Sequence, residues 1–211
     1  ELLFAFGGYS YVWFDPTVPD IVEPDLPRAF EFPEPEVNEA YLRDSYELGG
    51  IAVGFLKGSL VVHAGGRPIL VDRFNADHLN HPEKPVDEML VADDGRLAML
   101  RCIGPKWAGV EEQRIELRRP GRLTIRRDAS APFTWWFAGN PSRAGNLLTW
   151  SDGTRLQVVK GNIEKIDSNG YVDSVTHYAG MKFDDPHPFT YPVVTIRPDA
   201  GKVEISVELR K

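Results

Sequence analysis

The stretch FLKGSLVVHAGGRPILVDRFNADHLNH, residues 55–81, sets Asp72, Asp77, His78 and His81 close together in the chain. Carboxylates and imidazoles are the donors that divalent metals take, and His78 and His81 stand at i, i+3 beside Asp72. Converging, Asp72, His78 and His81 would hold zinc or calcium. The same composition also suits a solvated loop in which Asp72 caps a turn and the histidines face water. On the residues alone both readings stay open.

Other residues suit binding. RIELRRPGRLTIRR (114–127) concentrates Arg114, Arg118, Arg119, Arg122, Arg126 and Arg127 on a hairpin of an otherwise acidic chain. Guanidiniums grip carboxylates and sulfates in bidentate fashion, which makes Arg118, Arg119 and Arg122 candidates for an acidic substrate. The plainer reading is a charged hairpin edge that discourages edge-to-edge pairing. In FTWWFA, Trp135 and Trp136 point to opposite faces of a strand, so one belongs to the core and the other to a surface, where an indole can stack on a sugar ring. Trp107 and Trp150 pose the same choice between core and surface. His177 and Tyr178 suit acid–base work or a structural strand, and His187 reads as loop. No Ser-His-Asp order, phosphate loop, dinucleotide glycine motif or cysteine-based site is present.

The elements that must position these groups are strands. Beyond Val37 the chain is a succession of short β-branched, aromatic and leucine runs divided by turn residues such as AGGRP, ADDGR, RPGR, SDGT and PDAGK. KVEISVEL alternates apolar and polar residues, giving one face to bury and one to wet. About fourteen such runs, with no 3.6-residue period of useful length, predict two antiparallel sheets packed face to face. Ahead of them, ELLFAFGGYSYVWFDP does not open on Met and reads as the end of a helix whose beginning lies upstream; a proline-rich linker follows. The expected division is therefore 1–37, helical remnant and linker, and 38–211, β-sandwich.

Composition limits the partners. A net charge of −7 argues against a polyanion held by bulk electrostatics, so nucleic acid is not expected. The apolar run at the start is too short and too interrupted for a membrane span. The single cysteine, Cys102, allows no disulfide within the chain.

GSLVVHAGGRPILVD (58–72) resembles a signature of the heparinase II/III-like family of polysaccharide lyases, Gly-Ser-Phe-x-x-Tyr-Ala-Asp-Gly-x-Pro-Leu-Leu-Val-Asp. VWFDP (12–16) is similar to the Leu-Trp-Tyr-Asp-Pro element that closes the family's helical domain. LPRAFEFPEPEVNEAYLRDS (26–45) is similar to its proline-rich lead-in, with the usual Arg-Ser pair broken by Asp44. The resemblance follows the family's order over roughly the first 100 residues, and the later strands match in general character only.

The resemblance implies a C-terminal β-sandwich of polysaccharide-lyase type from an exported protein, periplasmic or secreted. Such a sandwich works with an α/α toroid, and an acidic polysaccharide binds between the two. Family members break uronic-acid chains by β-elimination: a base takes the C5 proton, an acid protonates the leaving oxygen, and the neutralised carboxylate makes that proton acidic. The family's His-x-His element, a catalytic histidine and a metal ligand, aligns with Ala52 and Gly54, which can do neither. Its later metal histidine aligns near Asp87, Glu88 and Met89, so of that ligand set only Asp72 carries over. The expectation is a sandwich not catalytic by itself. The alternative is a carbohydrate-binding or purely structural module.

Overall fold

Strands with apolar residues at every second position have one face to bury, and two such sheets bury each other's. A computed structural model describes residues 27–34, 37–46, 49–56, 59–72, 86–104, 109–173 and 189–209. Among them there is no helix, and sixteen strands form two antiparallel eight-stranded sheets. The first sheet runs β1 (Ala29–Phe32), β2 (Glu39–Arg43), β3 (Ala52–Leu56), β4 (Ser59–Ala64), β5 (Arg67–Asp72), β10 (Phe133–Trp136), β15 (Phe189–Arg197), β14 (Asn162–Asp173). The second runs β11 (Ser142–Ala144), β12 (Leu147–Thr149), β13 (Arg155–Lys160), β16 (Lys202–Glu208), β9 (Arg122–Ala129), β8 (Val110–Arg118), β7 (Leu97–Ile103), β6 (Glu88–Asp93).

The expected all-β, two-sheet sandwich is thus the fold. Strand β1 lies within the stretch read as linker, where AFEF pairs with Glu39–Leu42 despite the flanking prolines. The expected N-terminal helical remnant lies outside the described residues. Strand β14 was hidden from pattern reading, because NIEKIDSNGYVD is largely polar; its pairing with β15 carries two register shifts, one spanning Asp167 to Tyr171.

The core is built from inward phases such as Leu60 and Val62 of β4, Leu100 of β7, Ile115 and Leu117 of β8, Leu123 and Ile125 of β9, and Val203, Ile205 and Val207 of β16. Three polar residues share those phases: Asp72 follows Leu70, Gln113 precedes Ile115, and Arg127 follows Ile125. They meet between the sheets. Arg127 donates from Nη1 to Asp72 Oδ1 at 3.1 Å and from Nη2 to Oδ2 at 2.7 Å. Its Nε and Nη2 also donate to Gln113 Oε1 at 3.0 and 2.7 Å, and its guanidinium carbon lies 4.6 Å from the Phe133 ring centroid. The Leu60 N–H donates to Asp72 Oδ2 at 3.0 Å, and Gln113 Nε2 donates to the Gly104 carbonyl at 3.3 Å.

Asp72 and Arg127 are 0% and 2% exposed, so neither charge is solvated and each depends on the other. Arg127→Met leaves the carboxylate buried without its cation and is expected to lower the unfolding free energy by about 3–5 kcal/mol in urea denaturation. Adding Asp72→Leu should recover much of that loss. A double variant no more stable than Arg127→Met would contradict the charge-compensation account. Next to this group, burial pushes the Cys102 thiol up to about 12, against the opposing pull of Arg127. At pH 8 iodoacetamide should therefore leave Cys102 unmodified in the native protein and label it after denaturation; rapid native labelling, read by intact mass, would refute this.

Candidate functional site

Of the candidate metal ligands, the described residues include only Asp72. His78 and His81 lie outside the described residues. Both Asp72 oxygens accept hydrogen bonds from Arg127, and Oδ2 also accepts from Leu60 N–H. A divalent ion bound there would sit against a guanidinium, so Asp72 as placed does not fit a metal-ligand role. No group of three or more His, Cys, Asp or Glu side chains able to hold a metal occurs among the described residues. The cation that Asp72 meets is Arg127.

The arginine hairpin is β8 and β9, and most of its charge is already matched. Arg114 and Arg126 both reach Glu116, at 3.3 and 3.1 Å, Arg126 also holds Glu204 at 3.1 Å, and Arg122 holds Glu208 at 2.6 Å. Arg119 is no exposed gripping residue. Its side chain is 7% exposed, bonded to both Asp93 oxygens at 2.7 and 2.9 Å and to the Arg43 carbonyl at 3.1 Å. Arg118 is exposed and alone of the six makes no ion pair among the described residues. Arg118 and Arg122 remain open to solvent at the tip.

Trp135 and Trp136 do point to opposite faces of β10, but neither is an open stacking platform. Trp135 is fully buried between the sheets, its indole N–H without a hydrogen-bond partner among the described residues. Trp136 is 6% exposed on the outer face, in a cluster with Val61, Val71 and Val193, its ring 4.6 Å from Tyr191. That cluster continues a transverse row across the outer face of the first sheet: Phe30, Tyr41, Gly54, Val61, Val71, Trp136, Val193 are successive cross-strand partners. Trp150 is a core residue, edge-on to Phe137 and donating from Nε1 to the Ala138 carbonyl at 2.9 Å. Trp107, His177, Tyr178 and His187 lie outside the described residues.

The positions aligned with the family's two histidines are on β3, facing outward. Ala52 is flanked by Arg43 on β2 and His63 on β4, and Gly54 by Tyr41 and Val61. Ala52 and Gly54 thus stand between residues that carry a guanidinium, an imidazole and a phenol on the neighbouring strands. Burial, and then the Arg43 charge, hold the His63 imidazole below its ordinary range, so it is neutral at pH 7 and able to accept a proton. Burial and Glu39, which accepts from Tyr41 Oη at 2.8 Å, raise the Tyr41 phenol well above its ordinary range. Sequence reading passed over Tyr41, Arg43 and His63, although their outward phase beside Ala52 and Gly54 follows from strand alternation and the short β3–β4 connection.

No family model matches the chain, and no curated protein does. Among solved structures, the chain is similar to heparan sulfate lyase HepC from Pedobacter heparinus, with a TM-score of 0.57 at 11% identity, over 89% of this chain and 37% of the lyase. A mutant of the same lyase superimposes with a TM-score of 0.57 at 11% identity, over 88% of this chain and 36% of that one. At this identity the likeness is one of fold, and the chain spans little more than a third of the lyase: it has a heparinase-like β-sandwich.

Proposed function

We propose that this chain is the C-terminal β-sandwich of an exported heparinase II/III-like protein, a relative of lyases that cleave uronic-acid polysaccharides by β-elimination, and that it is not catalytic alone. The observation that carries the reading is the match of 89% of the chain to 37% of a heparan sulfate lyase. The Gly58–Asp72 signature supports it independently. β-Elimination needs a base for the C5 proton, an acid for the leaving oxygen and a group that neutralises the uronate. Ala52 and Gly54 supply none of these, so an α/α toroid contributes the missing groups and closes the cleft. The outer face of the first sheet suits contact with such a second layer, because its transverse row is apolar where the outer face of the second sheet is ion-paired. A non-catalytic module is the alternative. The matched charges of the arginine hairpin and the burial of both tryptophans favour its structural form over a glycan-gripping one.

The test compares this chain with the longer product of its own reading frame on heparan sulfate, hyaluronan and alginate, following the ultraviolet absorbance of the C4–C5 double bond. The longer protein should generate unsaturated uronates and the 211-residue chain should not. Cleavage by the chain alone would overturn its dependence on a second domain. A longer product that cleaves none of the three would overturn the lyase reading in favour of a module without chemistry.

A further inference from the structure

The β2–β3 connection, the β4–β5, β6–β7 and β8–β9 hairpins, the β12–β13 turn and the end of β16 come together at one end of the sandwich. They line a pocket of about 560 Å³, within the roughly 300–1,000 Å³ typical of small-molecule sites. Its chemistry is set by a balance of donors and acceptors.

The carboxylates are largely engaged. Asp44 Oδ2 accepts from the Gly121 N–H at 3.1 Å. Both Asp93 oxygens take Arg119, and Oδ1 also takes the Gly95 N–H at 2.8 Å. Asp152 accepts from the Thr154 N–H at 3.0 Å and pairs with Arg67 at 2.9 Å. The Arg119 hydrogen bonds, with help from the Gly95 N–H and the nearby charge of Arg28, hold the Asp93 carboxyl below its usual range. Burial pushes the Asp152 carboxyl up, but the Thr154 N–H and Arg67 outweigh it and the net shift is downward. Both carboxylates therefore stay ionised and occupied at neutral pH.

The donors are in surplus. Of the five N–H groups that a guanidinium offers, Arg119 commits three, one to the Arg43 carbonyl and two to Asp93. Arg96 lines the same pocket, is exposed, and makes no ion pair among the described residues. Arg67, outside the lining, holds the lining residue Asp152 with Nη2, and its buried Nη1 has no acceptor among the described residues. Arg28 adds a further positive charge to the lining. The backbone is also approachable: at Gly49 and Gly95 an added Cβ would meet nothing within 4 Å.

Among the described residues the pocket's arginine donors outnumber its open acceptors, which favours a ligand that is anionic and rich in oxygen acceptors. We propose that this pocket is an oxyanion site that takes a carboxylate or sulfate group, either free or carried on a sugar. Arg96 meets the anion, and the Arg119 guanidinium, little exposed and held in place by Asp93 as a positioning residue, adds its positive charge from the pocket wall. The site lies on elements of this chain alone, so it functions whether or not a second domain completes a lyase.

The experiment is an amide NMR titration of the chain with sodium sulfate, sodium glucuronate and glucose at constant ionic strength. Saturable shifts of the Gly49, Gly95, Arg96 and Gly121 amides are expected with both anions and not with glucose. Tighter glucuronate identifies a sugar-borne group, and tighter sulfate a free oxyanion. Arg96→Ala should weaken binding about tenfold. Arg101→Ala, which removes a guanidinium paired with Glu112 on the second sheet's outer face, should leave it unchanged. No saturable shift, equal shifts with glucose, or an equal loss in both variants would overturn the site. A failed lyase assay would leave these titrations standing, and a silent pocket would leave the lyase assay standing.

Discussion

The two sheets depend on one directional interaction, the Asp72 carboxylate on the Arg127 guanidinium. Apolar packing presses sheets together but specifies their relative position weakly, since one leucine contact resembles another. A bidentate pair, 0% and 2% exposed, tolerates little sliding, because any offset strands a charge without solvent. The surrounding residues make that commitment tolerable. Leu60 N–H and Gln113 Oε1 complete the hydrogen bonding, Gln113 in turn reaches the Gly104 carbonyl, and Phe133 lies against the guanidinium. The pair joins β5, near the centre of one sheet, to β9 in the interior of the other, so it fixes their register at mid-sandwich.

The two outer faces obey different constraints. On the second sheet Arg101–Glu112, Arg126–Glu116, Arg126–Glu204 and Arg122–Glu208 alternate charge across neighbouring strands. Each surface pair contributes little stability, but together they make a face compatible with water and hostile to edge pairing. On the first sheet β4 and β5 are buried almost throughout, which is why SLVVHA and RPILVD read as continuous apolar runs instead of alternating ones. The resemblance that identified this hairpin therefore rests on a two-sided burial requirement, and that requirement is structural, not chemical.

Strand identity was legible because period-2 alternation and glycine turns are local signals. The fold class followed from them without any long-range information. Strand β1 was not legible, because prolines on both sides masked four residues whose pairing is visible only once Glu39–Leu42 is in place. The roles of the hairpin arginines were half legible. Alternation from Leu123 through Ile125 puts Arg127 on the inward face, whereas counting charge along 114–127 treats all six as one patch. For the tryptophans, alternation correctly gave opposite faces. It could not say that Val61, Val71, Val193 and Tyr191, from three other strands, would surround Trp136 on the outer one.

One buried carboxylate can be neutralised in more than one way within the same strand geometry. Asp72 occupies a position that the lyase resemblance associates with a metal, yet its charge is met here by a guanidinium delivered from the opposite sheet. A metal ion and an arginine both neutralise a buried carboxylate, but only the metal brings open coordination positions for a substrate. Arginine at this point supplies a cross-sheet attraction and no coordination position. Among the described residues, polar side chains also gather in the Arg43–Ala52–His63 row at the end of β2, β3 and β4, and in the loop-end pocket that Asp44, Ser45, Gly49 and Gly65 line.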